Sequence, residues 1–238
     1  MAVRSVMRPG LAMALVAVMV WLGGCTTTHQ TGHTLPREEG ARRIIVLPPV
    51  VELSVLHAGG VAEVNAEWTR NARKHIADDI AERFRQRKIE LVNGDRIAVE
   101  SVGDSKELQL LKLHEVVGAS ILNHQYQGPR QLPTKANSFD WSLGTETRHL
   151  ATKYEGDYAL FLFVRDSYSS DARVATMIIA AAFGVGIQGG VQIGYASLVD
   201  LHSGSVVWFN VLARSTGDLR TAEAAQETVD LLLANFPQ

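Results

Sequence analysis

Gly184, Gly186 and Gly189 stand in the spacing G-x-G-x-x-G. In a dinucleotide-binding turn those glycines let the backbone approach a pyrophosphate, and the chemistry requires a strand before them and a helix immediately after. After this run Val191, Ile193 and Tyr195 alternate with Gln192, Gly194 and Ala196, which is a strand period. No lysine follows, as a Walker loop would need. No nucleotide is therefore expected as a ligand. A second near-motif is His114-Glu115-x-x-Gly118. The zinc-protease pattern H-E-x-x-H needs an imidazole where Gly118 stands, one helical turn on, so that both rings face one metal. His124 lies too far along to replace it, and His114 reads as part of a solvated helix face.

The remaining candidates are weaker. His75 and Asp79 are spaced to hydrogen-bond on one helix, a common boundary feature. Asp78-Asp79 and Glu38-Glu39 are adjacent pairs whose side chains point in different directions on a helix. His149 and His202 have no ligand-spaced partner, and His29 and His33 lie in a polar stretch that reads as solvated. No serine sits in G-x-S-x-G. These patterns imply no catalytic residue, no metal, no cofactor and no enzyme activity.

The amino terminus is more informative. Arg4 and Arg8 give a positive start, Leu11–Leu22 is uncharged and mostly apolar, and Gly23, Gly24 and Cys25 follow. That is the layout of a secretory signal, shorter than the ~20 apolar residues of a spanning helix. Leu22-Gly23-Gly24-Cys25 resembles the lipobox of bacterial lipoproteins. The resemblance implies removal of residues 1–24 as a signal peptide, followed by lipidation of Cys25 (palmitate among the acyl chains) and a durable membrane anchor. The next residue is Thr26 rather than Asp, which in such lipoproteins implies the outer membrane, with the body in the periplasm. Cys25 is the single cysteine, so no internal disulfide is possible.

Loss of residues 1–24 leaves 21 basic and 25 acidic residues, a net charge of −4. Such a surface offers no case for nucleic acid as a partner. Residues 25–42 read as the lipidated cysteine and a flexible tether, and residues 43–238 as one α/β domain.

Within that domain Ile44–Leu47 fits a buried strand closed by Pro48 and Pro49. Trp68, Ala72, Ile76, Ile80 and Phe84 recur every fourth residue and predict an amphipathic helix, with Ala77 and Ala81 beside the stripe. Ile89–Val92 predicts a strand. Lys106–Asn123 predicts a helix with Leu108, Leu111, Val117 and Ile121 inward. Residues 125–141 read as a loop, and Ser142–Tyr154 as a helix with Leu143, Leu150 and Tyr154 inward. The run 157–166 is apolar on both faces and predicts a central strand. Val191–Leu201 and Val206–Ala213 alternate around a turn at 202–204, a hairpin. Thr221 caps a last helix with Ala225, Val229 and Leu232 inward. The order β-α-β-α-α-β-β-β-α implies a mixed sheet packed with helices.

An apolar, glycine-rich insertion at 170–190 precedes the hairpin. From Val174 to Val199 there is no charge, long enough to cross a bilayer, and Ala182, Gly186, Gly190 and Gly194 recur at the spacing of packed membrane helices. Gln188, Gln192 and the hairpin pattern oppose a span. A core strand with a flexible glycine loop is the first reading. An arm touching lipid or another subunit, and a true span, are the others.

The opening strand, the crossing strand, the glycine segment and the hairpin residues Leu198, Asp200, Ser203, Gly204, Val207 and Trp208 together resemble a periplasmic lipoprotein superfamily. It includes the curli secretion lipoprotein, the penicillin-binding-protein activator lipoproteins and the amino-terminal domain of TolB. The resemblance covers about residues 43–235 and implies a fold, not by itself a function. The expectation is a membrane-anchored binding or scaffold lipoprotein of the cell envelope, an accessory part of an assembly, transport or cell-wall machine. Its partner would be an envelope protein or another copy of itself. The alternative is a subunit of an oligomeric outer-membrane secretion pore, although 174–183 lacks the alternation of spanning strands. An envelope hydrolase lacks residues to carry it.

Overall fold

The computed structural model describes residues 26–32, 43–87, 91–92, 97, 103, 105–126, 128–215 and 218–237. Leu22, Gly23, Gly24, Cys25, His33, Glu38 and Glu39 lie outside them. The fold is built on β6 (Tyr158–Ser169), whose residues from Ala159 to Val164 are all buried. A strand apolar on both faces needs cover on both, and it has it. On one face α1 (Ala66–Gln86) and α5 (Ala222–Leu232) pack over Leu160, Leu162, Val164, Leu198 and Trp208. On the other, α2 (Lys106–Ile121) and α3 (Arg148–Tyr154) pack over Phe161, Phe163, Tyr195 and Phe209.

Eight strands form one mixed sheet among the described residues. β6 pairs antiparallel with β7 (Gln192–Asp200), and β7 with β8 (Val206–Arg214). On its other edge β6 pairs in parallel with β2 (Ile44–Val46) and then with β3 (Val50–Leu56). β4 (Ala62–Val64) folds back on β3, and β5 (Leu91–Val92) lies beside β2. The expected α/β class with a mixed sheet is the observed one.

The long helix, the crossing strand, the hairpin and the last helix stand where the sequence predicts them. Asn65 caps α1 by accepting from the Trp68 amide, and Ala72, Ile76, Ile80 and Phe84 are its buried stripe. Thr221 caps α5 by accepting from the Ala224 amide, leaving Ala225, Val229 and Leu232 inward. At the hairpin turn Asp200 Oδ1 accepts from the amides of His202 at 2.9 Å and Ser203 at 2.7 Å.

Four expectations need correction. The chain does not leave the sheet at Pro48 and Pro49. Proline cannot donate to the ladder, so the two residues interrupt pairing, and β3 resumes along the same edge of β6. The third helix starts at Arg148, not Ser142: Ser142 bridges Ser205, and Gly144 turns with φ of 76° before a short 3-10 turn leads into α3. Residues 26–32 are not free tether but β1 (Thr26–Gly32), antiparallel to β8. A threonine-rich edge strand needs no apolar period, because main-chain pairing supplies its contacts. Finally, part of the glycine-rich insertion is helical: α4 (Asp171–Ala182).

Candidate functional site

α4 begins where β6 ends. Ser170 caps it by accepting from the Arg173 amide at 3.2 Å, and Asp171 sits favourably in the first turn. It ends in a Schellman motif: Val185 N–H donates to the Ala180 carbonyl and Gly184 N–H to that of Ala181, with Gly184 at φ of 75°. The first glycine of the G-x-G-x-x-G therefore stops a helix instead of opening one, and a strand follows. A phosphate would meet carbonyls there, not amides.

The helix stands off the body. Its Ile178 and Ile179 side chains are 66% and 61% exposed, and Phe183 at its end is 82% exposed. Val174 and Val185 extend the same surface, and Val61 on the neighbouring β3–β4 turn is also exposed. Arg173 is its buried residue and turns inward. It donates to the Gln188 carbonyl at 2.6 Å and the His57 carbonyl at 3.3 Å, fastening α4, the glycine segment and the β3–β4 turn together. The first reading of this insertion, a core strand, fails on exposure as well as on conformation. The spanning reading fails because Gln192–Asp200 is strand, and among the described residues no helix is long and apolar enough to cross a membrane. The exposed arm is what the structure shows.

Beneath α4 the sheet end is fastened by buried polar groups. Tyr168 O–H and Gln192 Nε2 donate to Asp166 Oδ2, the latter at 2.9 Å. Arg214 Nε donates to Gln192 Oε1 at 2.6 Å, Arg214 Nη2 reaches Thr228 Oγ1, and Arg214 also pairs with Glu227. Burial raises the Asp166 carboxyl above its ordinary pKa, although its hydrogen-bond donors oppose the shift. The network joins β6, β7, β8 and α5 and gives α4 a rigid base. On the opposite sheet face an open groove of about 310 Å³ includes Glu52, Ser54, Arg165, Ser167, Val191 and Ile193 in its lining. Arg165 is spent there on Glu52 at 2.6 Å and Glu115 at 2.8 Å.

The histidines are placed differently from the sequence reading. His114 is not on a solvated face. It is 1% exposed, stacked on Phe161 with ring centroids 4.8 Å apart, and its Nε2 lies 2.7 Å from Ser197 Oγ. Ser197 is equally sealed at 1% exposure, so this Ser–His contact is closed to substrate. Burial depresses the His114 pKa to about 3, keeping the ring neutral. Gly118 is there for packing: a Cβ would lie 2.1 Å from the Tyr195 ring. His149 joins Lys153 in hydrogen bonding to the buried Glu107, at 3.1 Å and 2.9 Å. Burial opposes the Glu107 charge, but these donors prevail and hold its carboxyl below the usual range. Burial raises the Asp79 pKa despite His75 one turn away, and Asp78 pairs with Lys74. His29 lies in β1 opposite Val211. Among the described residues no cluster of three His, Cys, Asp or Glu could hold a metal ion. Among the described residues, the structure brings none of the sequence-flagged polar side chains into a common open site. The exposed face of α4, hidden in a uniformly apolar run, is the feature that stands out.

No protein-family model matches the chain, and no curated protein matches it. Solved structures with a similar course of chain include the PelC dodecamer from Paraburkholderia phytofirmans, 14% identical, covering 88% of this chain and 96% of that one at a TM-score of 0.37. Lipoprotein GNA1162 from Neisseria meningitidis is 13% identical, with 79% and 93% covered at a TM-score of 0.32. At such scores these likenesses carry no weight for function. The class of the protein is defined by its own architecture, a mixed sheet between two helical layers with an apolar helix projecting from one sheet end.

Proposed function

We propose that the chain is a lipid-anchored envelope protein that acts by docking, not turnover. In this reading Cys25 carries the acyl chains, the outer membrane holds them, and the folded body faces the periplasm as an accessory part of an envelope assembly, transport or cell-wall machine. The observation that carries it is the apolar surface of α4, with Ile178, Ile179 and Phe183 turned to solvent on a firmly based helix. An uncovered apolar surface of this kind marks a contact with a protein or a membrane. Anchoring adds effective concentration, so even a weak contact at α4 stays occupied. The pore alternative would require α4 and the glycine segment to refold into alternating strands.

The anchor is tested in a two-membrane bacterium by labelling with radioactive palmitate and separating the membranes. Wild type should take up label and travel with the outer membrane, and Cys25→Ser should do neither. Equal labelling and equal fractionation of the two would remove the anchor from the proposal.

A further inference from the structure

The strand register places Thr26 at the sheet end from which α4 leaves. Thr26 lies opposite Arg214, Arg214 opposite Gln192, and Gln192 opposite Asp166. Asp166 is five residues before the first residue of α4. Neighbouring strands are ~4.8 Å apart, so Thr26 and Asp166 are separated by roughly 15 Å across one end of the sheet. Cys25 directly precedes Thr26. Any acyl chains on Cys25 therefore leave from the same end of the molecule as the exposed helix. The hairpin turn after Asp200 is at the opposite end.

We infer that α4 and the turn after it are a second membrane contact, an interfacial helix seated in the leaflet that holds the Cys25 lipid. The inference rests on the reading of Cys25 as acylated, because it is the anchor that brings this end of the sheet to a bilayer. Three features of α4 fit a lipid surface. From Val174 onward its exposed positions 174, 175, 178, 179, 181, 182 and 183 are all apolar, and at 100° per residue they sweep a little over half of the helix circumference, a broad face for lipid; Asp171, the exposed charge on that face, is in the first turn, nearest the sheet. The Arg173 side chain, which would resist burial in acyl chains, is withdrawn to the Gln188 and His57 carbonyls. Val61, on the adjacent turn, adds an apolar contact at the same level. An interfacial helix sinks roughly 5–10 Å into the headgroup boundary, and one short helix binds weakly by itself; two membrane signals together hold where one does not. The consequence is orientation. The strands stand on the bilayer with α4 down and the hairpin turn after Asp200 directed away from it.

The test uses the acylated mature protein in vesicles of phosphatidylethanolamine and phosphatidylglycerol doped with doxyl-labelled phosphatidylcholine. A nitrobenzoxadiazole probe is attached at Phe183→Cys or, as the distal control, at Ser203→Cys; the Cys25 sulfur is occupied by lipid. Emission from 183 should move to the blue and be quenched at least twofold more by doxyl lipid than emission from 203. Adding Ile178→Asp and Ile179→Asp should bring quenching at 183 down to the level at 203. Equal quenching at the two sites overturns the proposal. So does a blue shift at 183 that escapes doxyl lipid and grows with protein density, which would assign the helix to a second copy. The two readings separate cleanly. Mass spectrometry of the mature amino terminus reports acylation by itself, and a Cys25→Ser protein should still show quenching at 183 when vesicles are in large excess. An unacylated protein that keeps this quenching sinks only the anchor, whereas an acylated one without it sinks only the helix contact.

Discussion

His114 and Gly118 show how single residues that look like chemistry can belong to packing. On α2 the buried positions are Glu107, Leu110, Leu111, His114, Gly118 and Ile121, one continuous inward stripe. In the near-motif H-E-x-x-G, Gly118 offers no ligand and serves close packing against the Tyr195 ring. The burial of His114 was legible too, since it lies three residues after Leu111 and seven before Ile121, both predicted inward. Charge type obscured what spacing stated. The burial has a consequence for pH. A histidine with its folded pKa depressed to about 3, against 6.5 for an ordinary one, binds its proton more readily in the unfolded chain. Its contribution to stability is complete above pH 6.5 and is lost as pH falls towards 3. A His114→Gln variant keeps a hydrogen-bonding side chain without this titration. Denaturant unfolding at pH 6.5 and 5.5 should show wild type losing about 1 kcal/mol more than the variant over that step. Parallel losses would mean that the ring is hydrated in the native state.

At the scale of elements, legibility follows from contrast along the chain. α1 alternates charge with an apolar stripe, and the hairpin alternates apolar with polar, so both declare their period. β3 was hidden by the prolines before it, although Val51 and Leu53 mark its buried face. β1 was hidden because main-chain pairing at a sheet edge leaves no apolar pattern. α4 was hidden by uniformity: with every residue from Val174 to Phe183 apolar or small but Thr176, neither period stands out. Its local signals were present, a serine–aspartate pair at the start and glycine at the stop. These ends matter because α4 has little packing to sustain it. Ser170→Ala removes the cap that holds the Arg173 amide, a change of about 1 kcal/mol. Amide exchange in 171–182 should accelerate several-fold, while β6 and β7 exchange as in wild type. Uniform acceleration through the sheet would instead show that α4 opens only with the whole fold.

For the whole molecule, on the proposed lipidation of Cys25, the decisive question is how far the body would stand from the membrane. A free tether over residues 26–42 would give a reach of roughly 23 Å, since flexible chains span about 5–6 Å times the square root of their length. The β1–β8 ladder shortens that leash by laying residues 26–32 along the sheet edge, from Arg214 down to Trp208. The strand thereby does two things together. It covers the edge of β8, and it brings the residue next to Cys25 level with the base of α4. Successive residues of an edge strand point their N–H groups alternately towards and away from the neighbouring strand, so a double substitution Thr27→Pro and Thr28→Pro must remove a ladder bond whichever phase applies. Energy transfer from a donor at Ser203→Cys to acceptor-labelled lipid reports the height and tilt of the body. If β1 sets the geometry, the double variant remains in the membrane fraction, its transfer distribution broadens, and doxyl quenching at position 183 falls without any change at α4 itself. If both readings match wild type, α4 holds the orientation unaided and the strand is only an edge cover, because the helix then finds the bilayer even on a long leash.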